Sequence, residues 1–360
     1  MRFLLTDEQR QFARSLDAML AAAGTPAVVR AWADGDTAPG RALWSKLADA
    51  GVFALAVPER YDGVGLLPVE LAVVFAELGR HAVPGPLVET VAAAAFLDRL
   101  GNGAIAADWL PGIAAGTSVV SFALLTADAP YALDAATADA VFVVEGDTVR
   151  LAESAGGVQR SADPARRLAR PLGGAVLARG PAVTAAARHA SRVARLATAA
   201  QSLGLGRALL ARTVEYVGRR TQFGVPIGSF QAVKHRLADV LIALEFAQPL
   251  LHSAALALAA DGPDAEGPDA GREIAAAKVA AGRAAHGAAL TALHLHGALG
   301  YTDELDLSLW IRKARPLRDA WGTPAVCRAR VLAGPGTAPA PAPAPAPASA
   351  SASAQEAVDE

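Results

Sequence analysis

The chain has 360 residues and a mass of 36.6 kDa, of which 53% are hydrophobic, enough to bury one large core or several, so two or three domains are expected. Its 33 basic and 35 acidic residues nearly cancel and are scattered rather than blocked, and only Lys46, Lys234, Lys278 and Lys313 are lysines; nucleic acid is not an expected partner. A single cysteine, Cys327, excludes an internal disulfide and any multi-thiolate zinc or iron–sulfur site, and suits a reducing cytoplasm.

From the N-terminus, charge at Asp7 and Glu8 arrives before any long apolar stretch, so no signal peptide is expected. Thr6 and Gln9 have the spacing of a capping box, after which Phe12, Leu16, Met19 and Leu20 recur at helical period. Further helical stretches are predicted near 41–50, 68–79 and 85–99, punctuated by Pro58, Gly63 and Gly65. The uncharged run 110–127 is broken by Pro111, Gly112 and Gly116, and no membrane span is expected there. The pattern then turns to short β-like runs, SVVSFALL and AVFVVEGDTVRLAE, the second interrupted by Glu145-Gly146-Asp147 as in a hairpin. Helical periodicity returns over 184–218, 231–260 and 272–296, with a shorter segment near 304–315. The expected fold is mostly α with a small β middle domain. Its parts are an all-α domain at 1–117, the β-domain at 118–183, a helical bundle at 184–333 and a Pro/Ala tail at 334–360 whose composition favours disorder.

Two segments carry groups that a plain chain reversal does not need. The first, Arg219-Arg220-Thr221-Gln222-Phe223-Gly224-Val225-Pro226 through Gln231, packs cationic, amide and aromatic groups between two long helices. A guanidinium beside free N–H groups at the start of the next helix suits an anion such as a pyrophosphate, although solvated arginine turns are also common. The second, Leu293-His294-Leu295-His296-Gly297-Ala298-Leu299-Gly300-Tyr301-Thr302, ends a helix in glycines that permit close backbone approach. His294 and His296 stand two apart and so point to different helix faces, and no metal site is expected from them.

In this order and separation, the two segments resemble those of the acyl-CoA dehydrogenase family over residues 1 to about 332. Trp44-Ser45-Lys46-Leu47-Ala48-Asp49-Ala50-Gly51 is similar to the family's W..LAE.G, and Val57-Pro58-Glu59-Arg60-Tyr61-Asp62-Gly63-Val64-Gly65 to its VPEEYGG.G. Arg220-Thr221-Gln222-Phe223-Gly224 to Gln231 is similar to its RxQFGxPIxxFQ. The resemblance implies an N-terminal helical domain, a middle β-domain and a C-terminal bundle. It also implies that Arg220, Gln222, Phe223 and Gln231 contact FAD, the arginine meeting the pyrophosphate, often across a subunit interface. The 294–301 segment resembles the second flavin stretch, with His294 where Gln is usual and Ala298 where Gly is usual. Flavin contact is implied for His294, Gly297, Ala298 and Thr323, and substrate contact for Arg195.

Such an enzyme takes the proton α to a thioester carbonyl onto a carboxylate while the β-hydride passes to the flavin. The family's commoner position for that base falls here on Trp321, in Ala320-Trp321-Gly322-Thr323, and the rarer one on Ala194, just before Arg195. Neither residue can act as a base. The strand–loop segments that usually cover the flavin are shortened to SFALLTADAPYALDA and AVFVVEGDTVRLAE. The stretch Ser161-Ala162-Asp163-Pro164-Ala165-Arg166-Arg167-Leu168-Ala169 resembles an actinobacterial-type branch in which two homologous subunits form a heterotetramer. The resemblance therefore implies a base-deficient subunit acting with a homologous partner on an acyl-CoA thioester, in fatty-acyl or sterol side-chain β-oxidation in the cytoplasm, with electron-transfer flavoprotein as acceptor. One alternative is a self-sufficient dehydrogenase using Asp303, Glu304 or Asp306, though these three also read as a charge cluster at a helix start; another is a flavin-dependent oxidase or oxygenase on the same fold.

Overall fold

The computed structural model describes residues 4–127, 129–260 and 269–333, and the Pro/Ala tail expected over 334–360 lies outside the described residues. The chain adopts the expected class, mostly helical with a small sheet between two helical parts. The first part holds α1 (Asp7–Ala22), α2 (Thr25–Asp34), α3 (Ala38–Asp49), α4 (Pro68–Arg80), α5 (Leu87–Leu100) and α6 (Gly103–Ala114). The capping box at Thr6 forms, with Gln9 N–H donating to Thr6 Oγ1 and Thr6 N–H to Gln9 Oε1. The VPERYDGVG stretch is a tight turn: a Cβ on Gly63 would sit 1.9 Å from the Val57 carbonyl oxygen, so that glycine is required by the backbone alone. Helices α2 and α6 were not among the expected ones; Pro111 lies inside α6, where it ends no helix.

The sheet runs in the order β1 (Val120–Leu124), β3 (Ala140–Glu145), β4 (Thr148–Leu151), β8 (Val176–Arg179). β1 and β3 are parallel, whereas β3 and β4 form the expected hairpin, Glu145 facing Thr148 across Gly146 at φ 61° and Asp147. Two-residue strands complete the region: β2 (Ala132–Leu133) with β6 (Leu168–Ala169), and β5 (Ser154–Ala155) with β7 (Pro171–Leu172).

The last part is built on α7 (Pro181–Arg219), α8 (Gln231–Ala259) and α9 (Ala270–His296), followed by α10 (Leu307–Asp319) and α11 (Pro324–Leu332). The turn between α7 and α8 contains the two-residue strands β9 (Thr221–Gln222) and β10 (Val225–Pro226). Helix α7 is the axle of the molecule. Its buried stripe of alanines and leucines packs against α4, α5, α8 and α9. The crossing with α4 is so close that a Cβ on Gly204 would lie 1.7 Å from the Ala76 oxygen, and one on Gly79 would lie 2.1 Å from the Gln201 oxygen. Trp310 ties α10 into the same junction, its indole donating to the Arg80 carbonyl at 2.7 Å while Arg212 stacks on its ring at 3.8 Å. Helix α8 is long and apolar enough to cross a membrane by length and composition; its inner side is nevertheless packed on α9 and α7, and its outer side leaves Ile242, Phe246 and Leu250 exposed.

Candidate functional site

The two motif segments meet. Arg212, Arg219 and Arg220 share a surface cleft with Tyr216, His296 and Leu305. His296 is buried, its ring stacked on Tyr216 at 4.0 Å and its Nδ1 2.8 Å from the Ala292 oxygen, while His294 is exposed on another face. Elsewhere Asp17, Glu77 and His81 bring ligand atoms within 4.8 Å of one another, but His81 Nε2 bonds Asp17 at 2.7 Å and Arg80 pairs with Glu77 at 3.0 Å.

Beyond α7 the chain turns outward. Arg220, Gln222 and Gln231 are exposed, Phe223 is 90% exposed, and among the described residues no ion pair engages Arg220. Helix α8 opens without a side-chain cap, since its N-cap residue is Phe230, and the preceding Ser229 Oγ donates to the Pro226 oxygen. A guanidinium standing free beside uncapped helical N–H groups is a donor set matched to a diphosphate, so these residues fit the dinucleotide of FAD. Gly297 and Ala298, which follow His296, are exposed, and Gly297 at φ 59° has open space around its missing side chain. Thr323 lies elsewhere: its hydroxyl accepts from Val326 N–H at 3.3 Å and caps α11.

The second locus lies where the two base positions converge. Arg195, on α7, donates from Nε to the Trp321 carbonyl at 2.8 Å, so the residue after Ala194 touches Trp321 directly. Burial lowers the Arg195 pKa, and Ala194 is fully buried. The Trp321 indole lies parallel to Phe122 at 6.1 Å and donates to Glu89 Oε1 at 3.0 Å. Glu89 is buried on α5, and that burial raises its carboxyl pKa above the usual range. Nearby, Lys313 pairs with the buried Asp163 at 2.8 Å, joining the bundle to the middle region within the Ser161–Ala169 stretch. Asp303 pairs with Arg312 at 2.9 Å and Asp306 with Arg30 at 2.7 Å, with Glu304 exposed between them. All three acidic groups lie on the surface, ahead of α10. Glu89 escaped the sequence reading; the one sign of it was a carboxylate within the otherwise apolar run of α5.

Helical parts flanking a small sheet, with an anion-ready turn at the far end of the central helix, define a flavoprotein of the acyl-CoA dehydrogenase type. Residues 6–117 match the acyl-CoA dehydrogenase N-terminal domain and residues 184–334 the C-terminal domain. The acyl-CoA dehydrogenase IpdE2 of Mycobacterium tuberculosis is 34% identical over 313 residues, 85% of this chain and 91% of the relative. Among solved structures, the ChsE4–ChsE5 complex from Mycobacterium tuberculosis matches with a TM-score of 0.79 at 26% identity, covering 92% of this chain and 98% of that one. The Tcur3481–Tcur3483 steroid ACAD G363A variant matches with a TM-score of 0.76 at 25% identity, covering 90% and 96%. This chain belongs to the acyl-CoA dehydrogenase family, and FAD is its cofactor.

Proposed function

We propose that this chain is the base-deficient subunit of a cytoplasmic hetero-oligomeric acyl-CoA dehydrogenase, contributing part of a flavin site whose ring lies against a homologous partner. The observation that carries the proposal is a distance. Arg195 and Arg220 stand 25 positions apart on one continuous helix and its C-cap, roughly 37 Å at 1.5 Å per residue. That is several times the reach of the ribityl chain joining a flavin ring to its pyrophosphate. The pyrophosphate donors at Arg220 and the catalytic turn at Trp321 of the same chain cannot serve one cofactor. When bound, FAD supplies the hydride acceptor; this chain's residues supply the anchoring, with Arg220 and the start of α8 on the diphosphate and Gln222, Phe223 and Gln231 around it.

The absence of a base supports a homologous rather than identical partner. Ala194 has no acid and Trp321 fills the other position, so two copies of this chain would assemble flavin anchors around a centre that takes no proton. The exposed stripe Ile242, Phe246 and Leu250 on α8 gives such a partner an apolar face, Phe246 being 72% exposed. Two relatives solved as pairs of chains, one described as a steroid enzyme, support an acyl-CoA with a sterol-derived side chain as substrate, and electron-transfer flavoprotein is the acceptor this reading assigns. The test is turnover of a panel of fatty-acyl and sterol side-chain CoA thioesters with an artificial acceptor. The chain alone should show none, and adding a homologue that carries the base should restore it. Turnover by the chain alone would overturn the proposal.

A further inference from the structure

A cleft of about 690 Å³ opens where the three parts of the chain meet. Arg30 and Asp34 on α2, Arg160 and Arg167 in the segment between β5 and β6, and Arg312 on α10 all line it. None of its lining residues lines the cleft at Arg220, and none lines the pocket that holds the Trp321 side chain. The cleft therefore stands apart from both loci described above.

Its four guanidiniums divide into two pairs with different work. Arg30 Nη2 pairs with Asp306 at 2.7 Å and donates to the Asp303 carbonyl at 3.2 Å. Arg312 pairs with Asp303 at 2.9 Å and donates from Nε to the Ala162 carbonyl at 3.2 Å. These bonds tie α2 and the middle region to α10 and the residues before it, so the walls are held without a ligand. Arg160 and Arg167 are not used in this way. Arg160 is exposed, and the half-buried Arg167 gives only Nη1 to the Trp32 carbonyl, at 3.4 Å. Among the described residues, no carboxylate stands within ion-pair distance of either. Two guanidiniums with most of their forked N–H donors unspent suit a phosphate.

The cleft also holds an acceptor. Asp34 is exposed and without an ion pair, one residue before Gly35, and Arg167 packs against that glycine: a Cβ there would lie 3.4 Å from Arg167 Nη1. A carboxylate beside the free arginines repels a bare anion, whereas an anion that also carries hydroxyl groups turns the same carboxylate into a partner. We infer that the cleft binds the phosphate monoester of a polyhydroxylated sugar, with the phosphate on Arg160 and Arg167 and the sugar hydroxyls donating to Asp34. Its volume admits a sugar phosphate with or without an attached base. The site depends neither on a partner subunit nor on the missing base.

The test is calorimetric titration of the full chain with ribose 5-phosphate, AMP, ribose and inorganic phosphate, with Arg220→Ala present throughout so that the flavin turn takes no phosphate. Ribose 5-phosphate should bind at one site, and ribose should show no saturable binding. Arg160→Gln and Arg167→Gln should each weaken ribose 5-phosphate about tenfold or more, the loss expected of a charge-assisted phosphate contact. Arg160 is exposed, so its variant is read alone if the Arg167 variant fails to fold. Asp34→Ala should weaken ribose 5-phosphate and tighten inorganic phosphate, because it removes an acceptor for the sugar and a charge that repels the anion. AMP binding more tightly than ribose 5-phosphate would support the site with a nucleotide as its ligand, and AMP binding more weakly would support it with a free sugar phosphate. No saturable binding of ribose 5-phosphate, or binding undiminished by both arginine variants, would overturn the proposal. A shift of both probes in the same direction on Asp34→Ala would overturn the role given to Asp34.

Discussion

At Trp321 an indole stands where the family resemblance implies a carboxylate, and its surroundings fit the indole. It is hydrogen-bonded, stacked and gripped through its carbonyl. Replacing it with glutamate puts a second carboxyl beside the buried Glu89, and like charges at that distance cannot both ionise. Trp321→Glu is therefore expected to give no bleaching of the flavin band on anaerobic addition of acyl-CoA, in the chain alone or in its complex, and to lower stability by about 2–4 kcal/mol in urea denaturation. Rapid bleaching would mean that an otherwise complete site had lost only its base. A second residue reports through pH. Asp134, at φ 52°, accepts the Trp32 indole N–H at 3.0 Å, and burial raises its carboxyl pKa to about 7. The folded state thus binds this proton more tightly than the unfolded chain, so the contribution is full below about pH 4 and is lost as pH rises toward 7, on the order of 4 kcal/mol. Asp134→Asn, which retains an acceptor, should remove that slope; the check is the difference between wild-type and variant urea midpoints at about pH 5 and about pH 8. Parallel pH profiles would show that the carboxyl does not titrate as its burial implies. Neither Glu89 nor Asp134 was legible beforehand, because both act through partners more than 100 positions away that only the fold brings close.

Among the elements, α7 determines what its neighbours can be. Its small residues allow α4 to approach until Gly204 faces the Ala76 carbonyl, so Gly204→Ala should force the two helices apart. We expect a loss of about 1–3 kcal/mol, more if the crossing cannot shift, measured by denaturant unfolding; an unchanged midpoint would mean that the crossing yields freely. The long helices were legible because amphipathic periodicity sustained over many turns leaves little ambiguity. Helix α2 and helix α11 were not anticipated, being nine or ten residues long. Helix α6 was obscured by Pro111, and most of the short strands by lengths of two residues, too brief for any period to show. The β3–β4 hairpin was legible because Gly146 supplies the left-handed conformation its turn requires. The exposure of the 220–231 turn was legible in its composition, since arginine, glutamine and phenylalanine between two helices have no packing reason to be there.

For the whole molecule, the account places anchors for one flavin at one end of α7 and a base-free centre about 37 Å away, with an exposed apolar face on α8 for a homologous partner. Phe246→Glu should weaken the complex with a base-bearing homologue, since an interfacial anchor replaced by an unpaired carboxylate typically costs about 2–4 kcal/mol, while leaving the isolated chain's unfolding midpoint within about 0.5 kcal/mol. Gel filtration of the co-expressed pair checks the first and denaturation of the single chain the second. The sequence could suggest a partner but not locate it, because separation along a helix becomes a distance only once that helix is known to be unbroken. The most direct measurement of the shared site is the flavin content of the co-expressed complex with Arg220→Ala in this chain. A charge-assisted phosphate contact is worth about 1.5–3 kcal/mol, so occupancy at limiting FAD should fall as expected for a roughly ten- to hundredfold loss of affinity. Occupancy equal to that of the wild-type complex would contradict the account.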